Sequence, residues 1–316
     1  MRPSYARRSI CCSIKHSRVS LQNLSVDDMR IEARTTAHPH TKLSLPAVEG
    51  LSMNPILFTQ VPALDTVSTK LASFIDAAPS SVELQLAKQT IIGVVVPFLK
   101  SRFPGKDASA APKKPAIPAS PQILTNLATA TVALSNSLPL AQLFPLVDMW
   151  RLAVLDEPVA SWLASAPTPD PLQQLLDKLL TLLDSGDAAA KASGRNYTLT
   201  VLRLLVNGFA HAALARTLLA AAGKRAAVTR VVVAALLHED AAVRTAAAGL
   251  AFDVAAALQR SRVERLRGAS TAGPAAVVVE EDEEWEVELV SAVLEALSNE
   301  VQSEEVGECC FRPVYR

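Results

Sequence analysis

Apolar residues recur at helical spacing along most of the chain, and this periodicity constrains the fold more than any other feature. The clearest case follows Asp170-Pro171, where the apolar positions are Leu172, Leu175, Leu176, Leu179, Leu180 and Leu183. Side chains three and four residues apart share one face of an α-helix, so the pattern predicts an amphipathic helix with a buried leucine stripe. Asp170 suits the N-cap of this helix, and Pro171 suits its first turn.

The same periodicity predicts about ten helices and no alternating strand pattern. Alanine and leucine dominate the apolar content, aromatic residues make up only 4%, and the chain has 11 glycines. This composition favours helix over a sheet with many tight turns. We therefore expect an all-α fold, an armadillo/HEAT-like α-solenoid. Besides shorter segments between Leu64 and Leu163, the predicted helices are 187–209, 211–222, 226–238, 240–262 and 283–299.

Composition divides the chain into a helical domain and two tails. Residues 53–306 carry the helical pattern, interrupted by a Pro/Ala/Lys loop at 104–121 and an acidic loop at 268–282. Proline removes a main-chain donor, so the first of these intervals is expected outside the core. Residues 1–52 are expected to be a disordered or misannotated basic tail. Residues 1–25 contain basic residues and serines but no acid, which also resembles a mitochondrial transit peptide.

Charge and cysteine usage exclude several classes of protein. Lys plus Arg equal Asp plus Glu at 31 each, so no bulk charge indicates a nucleic-acid partner. The four cysteines form two adjacent pairs, Cys11-Cys12 and Cys309-Cys310, which are not spaced as zinc ligands. No uninterrupted apolar run approaches the ~18 residues of a membrane span. We expect a cytoplasmic and/or nuclear protein without metal, cofactor or membrane attachment.

The stretch Ala234–Leu258 has the organisation of a HEAT repeat junction. It reads AALLHEDAAVRTAAAGLAFDVAAAL. A leucine pair closes one helix, Asp240 is placed to cap the next, and Val243 and Ala247 lie four residues apart on one face. Small residues around Gly249 allow close approach of neighbouring helices. Arg244 lies beside Val243, where it can reach an acid on a neighbouring repeat.

Three apolar helical segments each contain one arginine. These are Arg151, Arg203 and Arg244, separated by 52 and 41 residues. Once one loop is allowed for, such spacing is close to the ~40–47-residue period of HEAT and armadillo units. An arginine in an apolar stripe must be paired, because an unpaired buried charge is costly. Two interpretations stay open: structural ion pairs within the stack, or an arginine ladder that grips an acidic peptide.

At these positions the chain resembles the PUL domain family, the module of the phospholipase-activating protein and its fungal counterparts. The resembling segments are FPLVDMWRLAVL (144–155), VLRLLVNGF (201–209), HEDAAVRTAAAGLAFDVA (238–255) and EWEVELVSAVLEALSNE (284–300). Their order and spacing, over roughly residues 54–306, carry the match. The resemblance implies a curved stack of armadillo-like repeats.

The resemblance also implies a partner and a set of contact residues. The family binds the acidic C-terminal tail of the hexameric AAA+ segregase of the ubiquitin–proteasome system, the valosin-containing protein. Carried to this chain, the partner-binding residues are Arg151, Arg203, Asn207, Arg244 and His238. Asn207 would be an amide clamp or would bind a carbonyl inside the stack. For His238, a helix-end position beside the C-terminal dipole is the alternative.

The resemblance is incomplete at both ends of the matched region. Some fungal relatives carry a thiol-peptidase-like or thioredoxin domain ahead of the PUL module, and such a domain is a possible partner in a full-length relative. The family continues beyond Val306 into an apolar helix, whereas this chain ends in the divergent residues 307–316. The resemblance therefore predicts that the last helix is missing.

Binding is a better hypothesis for this chain than catalysis. His211 and His238 are the histidines within the helical region, and neither lies in a recognisable catalytic motif. We expect a non-enzymatic adaptor for the segregase tail. The alternative is a generic HEAT/armadillo scaffold that binds another acidic peptide.

Overall fold

The computed structural model describes residues 53–104, 116–269 and 284–300, with side chains up to residue 265 in the second range. Within these ranges the chain is helical and has no β-strand, which confirms the predicted all-α class. The remaining predictions for residues 1–52, for most of both loops and for 307–316 lie outside the described residues.

The first half of the described chain forms short helices. They are α1 (Leu64–Ala77), α2 (Val82–Thr90), a π-helical turn (Ile91–Val95), α3 (Val96–Arg102), α4 (Pro121–Ser137), a 3-10 turn (Leu140–Gln142), α5 (Phe144–Ala153) and α6 (Glu157–Ala164). The π turn precedes Pro97, whose ring would clash with the carbonyl of Gly93 in a regular helix. The wider turn accommodates the proline without ending the helical path.

The second half of the described chain contains seven α-helices. They are α7 (Pro171–Asp184), α8 (Ala188–Ser193), α9 (Arg195–Gly208), α10 (Ala212–Ala220), α11 (Ala222–Leu236), α12 (Ala241–Ala269) and α13 (Glu284–Asn299). Asp170 accepts hydrogen bonds from the N–H groups of Leu172 and Gln173, as predicted. Asp240 caps α12 in the same way, through the N–H groups of Ala242 and Val243.

Three helix boundaries differ from the prediction, one of them being the start of α11, which lies at Ala222 and not at residue 226. The single helix expected over 187–209 is divided at Gly194 into α8 and α9. A Cβ at Gly194 would lie 2.5 Å from Cδ2 of Leu182 in α7, so a larger residue at this break would require the leucine side chain to move. Helix α12 continues to Ala269 and so extends past the predicted end at residue 262.

The helices pack in two consecutive series. The first row is α1, α5, α9 and α12, and the second row is α2, α4, α7, α11 and α13, each helix contacting the next in its row. Contacts of α7 with α9 and of α11 with α12 join the rows. This packing is consistent with the predicted helical-repeat architecture.

Two buried aromatic residues each make a hydrogen bond from the first row of helices to the second. The indole N–H of Trp150, in α5, donates to the hydroxyl of Thr131 in α4 at 2.8 Å. The hydroxyl of Tyr197, in α9, donates to the carbonyl of Leu175 in α7 at 2.9 Å. Both side chains are fully buried, and burial raises the pKa of Tyr197. Each therefore contributes apolar area while its polar atom has a partner.

Among the residues that the structure describes, two helical stretches, Val82–Arg102 and Ala241–Arg265, are long and apolar enough to cross a membrane by length and composition alone. The bent pair α9 and α10 would add a third if counted as one span. Here, Val82–Arg102 packs against α4 and Ala241–Arg265 packs against α9 and α11. Their apolar composition thus contributes to the core of the helical domain.

Candidate functional site

Residues 53–60 run without secondary structure across α5, α9 and α12 of the first row. We call them the strap. The contacts that hold the strap are mainly hydrogen bonds from helix side chains to its main chain. We call the surface of α5, α9 and α12 that the strap contacts the first-row groove. The strap lies there as an extended peptide would, although it belongs to the same chain.

Asn207 clamps the strap at Phe58. Its side-chain oxygen accepts the N–H of Phe58 at 2.8 Å, and its amide nitrogen donates to the carbonyl of Phe58 at 3.1 Å. The same nitrogen donates to the carbonyl of Arg151 at 2.8 Å. Asn207 is fully buried and binds a carbonyl inside the stack, one of the two predicted roles, while its contact with a partner peptide stays a prediction.

Arg151 binds the strap beside Asn207. Its guanidinium donates to the carbonyl of Phe58 at 2.6 Å and to that of Gln60 at 3.0 Å. Its Nε bonds to Asp148, one turn earlier on α5. The residue is only 5% exposed, and the carboxylate and two carbonyls supply the partners that its burial requires.

Arg203 contacts the strap through an aromatic ring. Its guanidinium lies 5.2 Å from the centroid of the Phe58 ring, a cation–π arrangement. Its Nε is buried with no hydrogen-bond partner among the described residues. Burial lowers the pKa of Arg203, and the nearby charge of Arg151 lowers it further. Arg203 is therefore occupied by the chain's own phenylalanine.

Asp253 and Arg260, both on α12, hold the beginning of the strap. Oδ1 of Asp253 accepts the N–H of Ile56 at 2.8 Å, and Arg260 donates to the carbonyl of Met53 at 2.7 Å. Asp253 is fully buried, and its Oδ2 has no partner among the described residues. Burial raises the pKa of Asp253 to about 7, against the lowering effects of the Ile56 hydrogen bond and of Arg260.

Arg244 and His238 lie apart from the strap contacts. Arg244 forms an ion pair with Glu300 at 2.7 Å and donates to the carbonyls of His238 and Glu239. Nδ1 of His238 accepts the N–H of Asp240 at 3.0 Å, and burial lowers the pKa of this imidazole. The three arginines therefore do not share one site. Arg151 and Arg203 converge on Phe58. Arg244 instead joins α12 to Glu300, which follows α13.

A second feature is a basic cavity of about 490 Å³ bounded by α10, α12, α13 and the start of α11. Its lining includes four arginines and two glutamates. The apolar part of the lining is alanine and leucine, together with the indole of Trp285. We call it the arginine cavity. Its charged lining residues are Arg216, Arg225, Arg260, Arg265, Glu264 and Glu286.

Within the arginine cavity the side chains differ in how far they are engaged. Arg225 lies 5.4 Å from the Trp285 ring, and Glu286 pairs with Arg262 at 2.5 Å. Arg216 is exposed and has no hydrogen bond or ion pair with any residue that the structure describes. The cavity therefore combines an excess of guanidinium groups with an aromatic wall, which suits a carboxylate-bearing ligand.

A model of the PUL domain family matches residues 52–313. This chain belongs to the PUL domain family. A search of curated proteins gives no significant match. The family is a protein-binding module, so a protein partner follows in general terms from membership. In this PUL domain the match begins next to the strap, which therefore belongs to the domain itself.

Three features of this PUL domain were not predicted from the sequence: the strap, Asp253 and the arginine cavity. Asp253 could have been noticed as a lone acid between Phe252 and Val254 in an alanine-rich helix. The four cavity arginines are spread over α10, α11 and α12. Their convergence depends on how those helices pack, which no local pattern shows.

Proposed function

We propose that this PUL domain is a non-enzymatic adaptor that binds an acidic peptide in the arginine cavity. The proposed ligand is the C-terminal tail of the valosin-containing-protein-type AAA+ segregase, in ubiquitin–proteasome pathways of the cytoplasm and/or nucleus. The observation that carries the proposal is the set of four arginines around Trp285, with only two glutamates in the same lining. Family membership supports a protein ligand.

The arginine cavity suits this role better than the first-row groove does. Arg151 and Arg203 are already engaged by the strap, and Arg244 is engaged by Glu300 and two carbonyls. A peptide carboxylate at those positions would first have to displace these partners. At the cavity, the exposed Arg216 needs no such exchange with a described residue.

The chemistry of the arginine cavity supports binding of carboxylates. Guanidinium groups present planar pairs of donors that match a carboxylate. The indole of Trp285 offers an apolar surface for a neighbouring side chain of the peptide. Exposed charge pairs are screened by salt, so binding here should weaken as ionic strength rises.

The side chains of both histidines support an adaptor without catalysis. Nε2 of His211 lies 3.0 Å from the carbonyl of Leu155, and Nδ1 of His238 is bonded to the N–H of Asp240. Each imidazole is thus engaged by main chain at a helix end. We propose that neither acts as a general base.

A titration with matched variants tests the proposed function. The full chain would be titrated with a fluorescent peptide of the segregase tail, alongside a peptide with amides in place of its carboxylates. We expect micromolar binding of the acidic peptide, weakened about tenfold by Arg216→Ala or Arg225→Ala, since a charge-assisted bond contributes roughly 1.5 kcal/mol. Arg230→Ala is the control, because Arg230 is exposed, lies on α11 outside the cavity lining and pairs with Asp184.

The outcomes separate the proposal from its alternatives. Equal binding of unrelated acidic peptides would favour a generic acidic-peptide scaffold over a segregase adaptor. Absence of binding by a folded wild-type chain would discard the acidic-peptide proposal. Binding that is insensitive to both arginine variants would place the peptide elsewhere.

A further inference from the structure

We propose that the strap is a displaceable occupant of the first-row groove, and that its release is coupled to ligand binding in the arginine cavity through Arg260. A ligand carboxylate would take Arg260 from the main chain of the strap, and loss of the strap contact would in turn favour the ligand. This inference rests on the proposed function and adds its regulation.

Arg260 belongs to both features. It donates to the carbonyl of Met53 at 2.7 Å, and its side chain also lines the arginine cavity. A guanidinium bonds more strongly to a carboxylate than to a neutral carbonyl, because both partners of the new bond carry charge. An acidic ligand that enters the cavity thus competes with Met53 for the same donor.

The strap is held unequally along its length. Phe58 is fixed by both atoms of the Asn207 amide, by Arg151 and by the Arg203 stack. Its first residues are held by Arg260 at Met53 and by Asp253 at Ile56, beside a contact of Asn54. Release of the strap should therefore begin at Met53 and proceed toward Phe58.

The contact at Ile56 is itself sensitive to Arg260. Asp253 is buried with one oxygen lacking a partner among the described residues, and Arg260 is the cation whose charge acts on it. If Arg260 turns to a ligand, Asp253 loses this favourable charge. Protonation of Asp253 is then favoured, and a neutral carboxyl accepts the N–H of Ile56 less strongly than a carboxylate, so two strap contacts respond to one movement.

Thermodynamic linkage makes the coupling reciprocal. If ligand binding loosens the strap, then a variant with a weakened strap must bind the ligand more tightly, by at most the same factor. Phe58→Ala removes the Arg203 stack and leaves every cavity residue in place. Thr59→Ala changes an exposed strap residue and serves as the matched control.

Hydrogen exchange on the full chain tests the coupling. The exchange rates of the Ile56 and Phe58 amides would be measured without ligand, with the acidic tail peptide, and with inorganic phosphate as a simple anion probe. We expect saturation with peptide to speed exchange at Ile56 about fivefold, with a smaller change at Phe58. Phe58→Ala should raise peptide affinity by up to the same factor, and Thr59→Ala should leave it unchanged.

Each outcome bears on one proposal or on both. Peptide binding with unchanged or slower exchange at Ile56 would overturn the strap inference and leave the proposed function intact. That measurement uses the wild-type chain, so it holds even if Phe58→Ala fails to fold. If neither peptide nor phosphate binds the folded wild type, both proposals fail together.

Discussion

The side-chain amide of Asn207 closes a two-way hydrogen bond with the main chain of Phe58, a residue 149 positions earlier in the chain. This contact joins the strap to the central helix of the first row. It also shows that a single buried amide can serve an extended segment and the stack at once, because the same nitrogen reaches the carbonyl of Arg151.

Replacement of Asn207 by alanine should destabilise the domain. The change removes three hydrogen bonds and leaves the buried N–H and carbonyl of the strap with fewer partners, at a cost of roughly 2–4 kcal/mol. Chemical denaturation would measure the loss. Asn136→Ala, at an exposed position on α4, is the control and should change the free energy of unfolding by less than about 0.5 kcal/mol. Equal stabilities of the two variants would contradict the role given to the clamp.

The pH dependence of stability should carry the signature of Asp253. Its pKa is raised to about 7 in the folded chain and lies near the ordinary value when unfolded. The folded chain therefore holds a proton that the unfolded chain has released between pH about 4 and 7. The contribution of this group to the free energy of unfolding is greatest below pH about 4. It falls as the pH rises to about 7 and is lost above that value, a total change on the order of 4 kcal/mol.

Asp253→Asn should remove this pH dependence. The amide oxygen can still accept the N–H of Ile56, and no charge is buried at high pH. Denaturation at several pH values between about 4 and 8 would show a flatter profile for the variant. Asp65→Asn, at a largely exposed aspartate that pairs with Lys100, should keep the wild-type slope. A wild-type slope in Asp253→Asn would show that the carboxyl does not titrate in this way.

Thr131 should be needed for the burial of Trp150. Thr131→Val keeps the volume but removes the acceptor of the indole N–H, leaving that donor buried without a partner. We expect a loss of about 1–3 kcal/mol. A double-mutant cycle with Trp150→Phe measures the coupling, since phenylalanine has no N–H to satisfy. Simple additivity of the two changes would mean that the hydrogen bond contributes nothing.

Arg244 should matter for stability and not for binding of the acidic peptide. The Glu300 side chain is only 5% exposed, so Arg244→Ala removes one of the groups that stabilise a nearly buried carboxylate. The cost should be about 3 kcal/mol, seen as faster hydrogen exchange in α13. Peptide affinity should stay at the wild-type value. A large loss of peptide affinity with unchanged hydrogen exchange in α13 would show that Arg244 belongs to the binding site.

Local patterns in the sequence predicted the helices well where local chemistry determines them. Asp170 and Asp240 cap their helices because a side-chain oxygen next to free main-chain N–H groups needs no distant partner. The break at Gly194, which lies against Leu182 of another helix, was not predicted. Tertiary contacts of this kind leave no periodic signal in the chain.

The sequence predicted that Arg151, Arg203 and Asn207 would share a surface, and the structure brings them together at Phe58. It did not predict that residues 53–60 would occupy that surface. The strap lacks helical periodicity, and its contacts are made by its main chain, which every sequence shares. Arg244 fits the same repeat spacing, but its side chain lies at the α11–α12 turn. There it pairs with Glu300 and donates to the carbonyl of His238.

The most direct test of the central claim is the nitrogen-15 NMR spectrum of the indole N–H groups. The chain has three tryptophans, and only Trp285 lines the arginine cavity. On addition of the acidic tail peptide, we predict that the Trp285 signal shifts in a saturable way while that of the buried Trp150 stays in place. A saturable peptide interaction that leaves the Trp285 signal unmoved would contradict the proposal that the arginine cavity is the binding site.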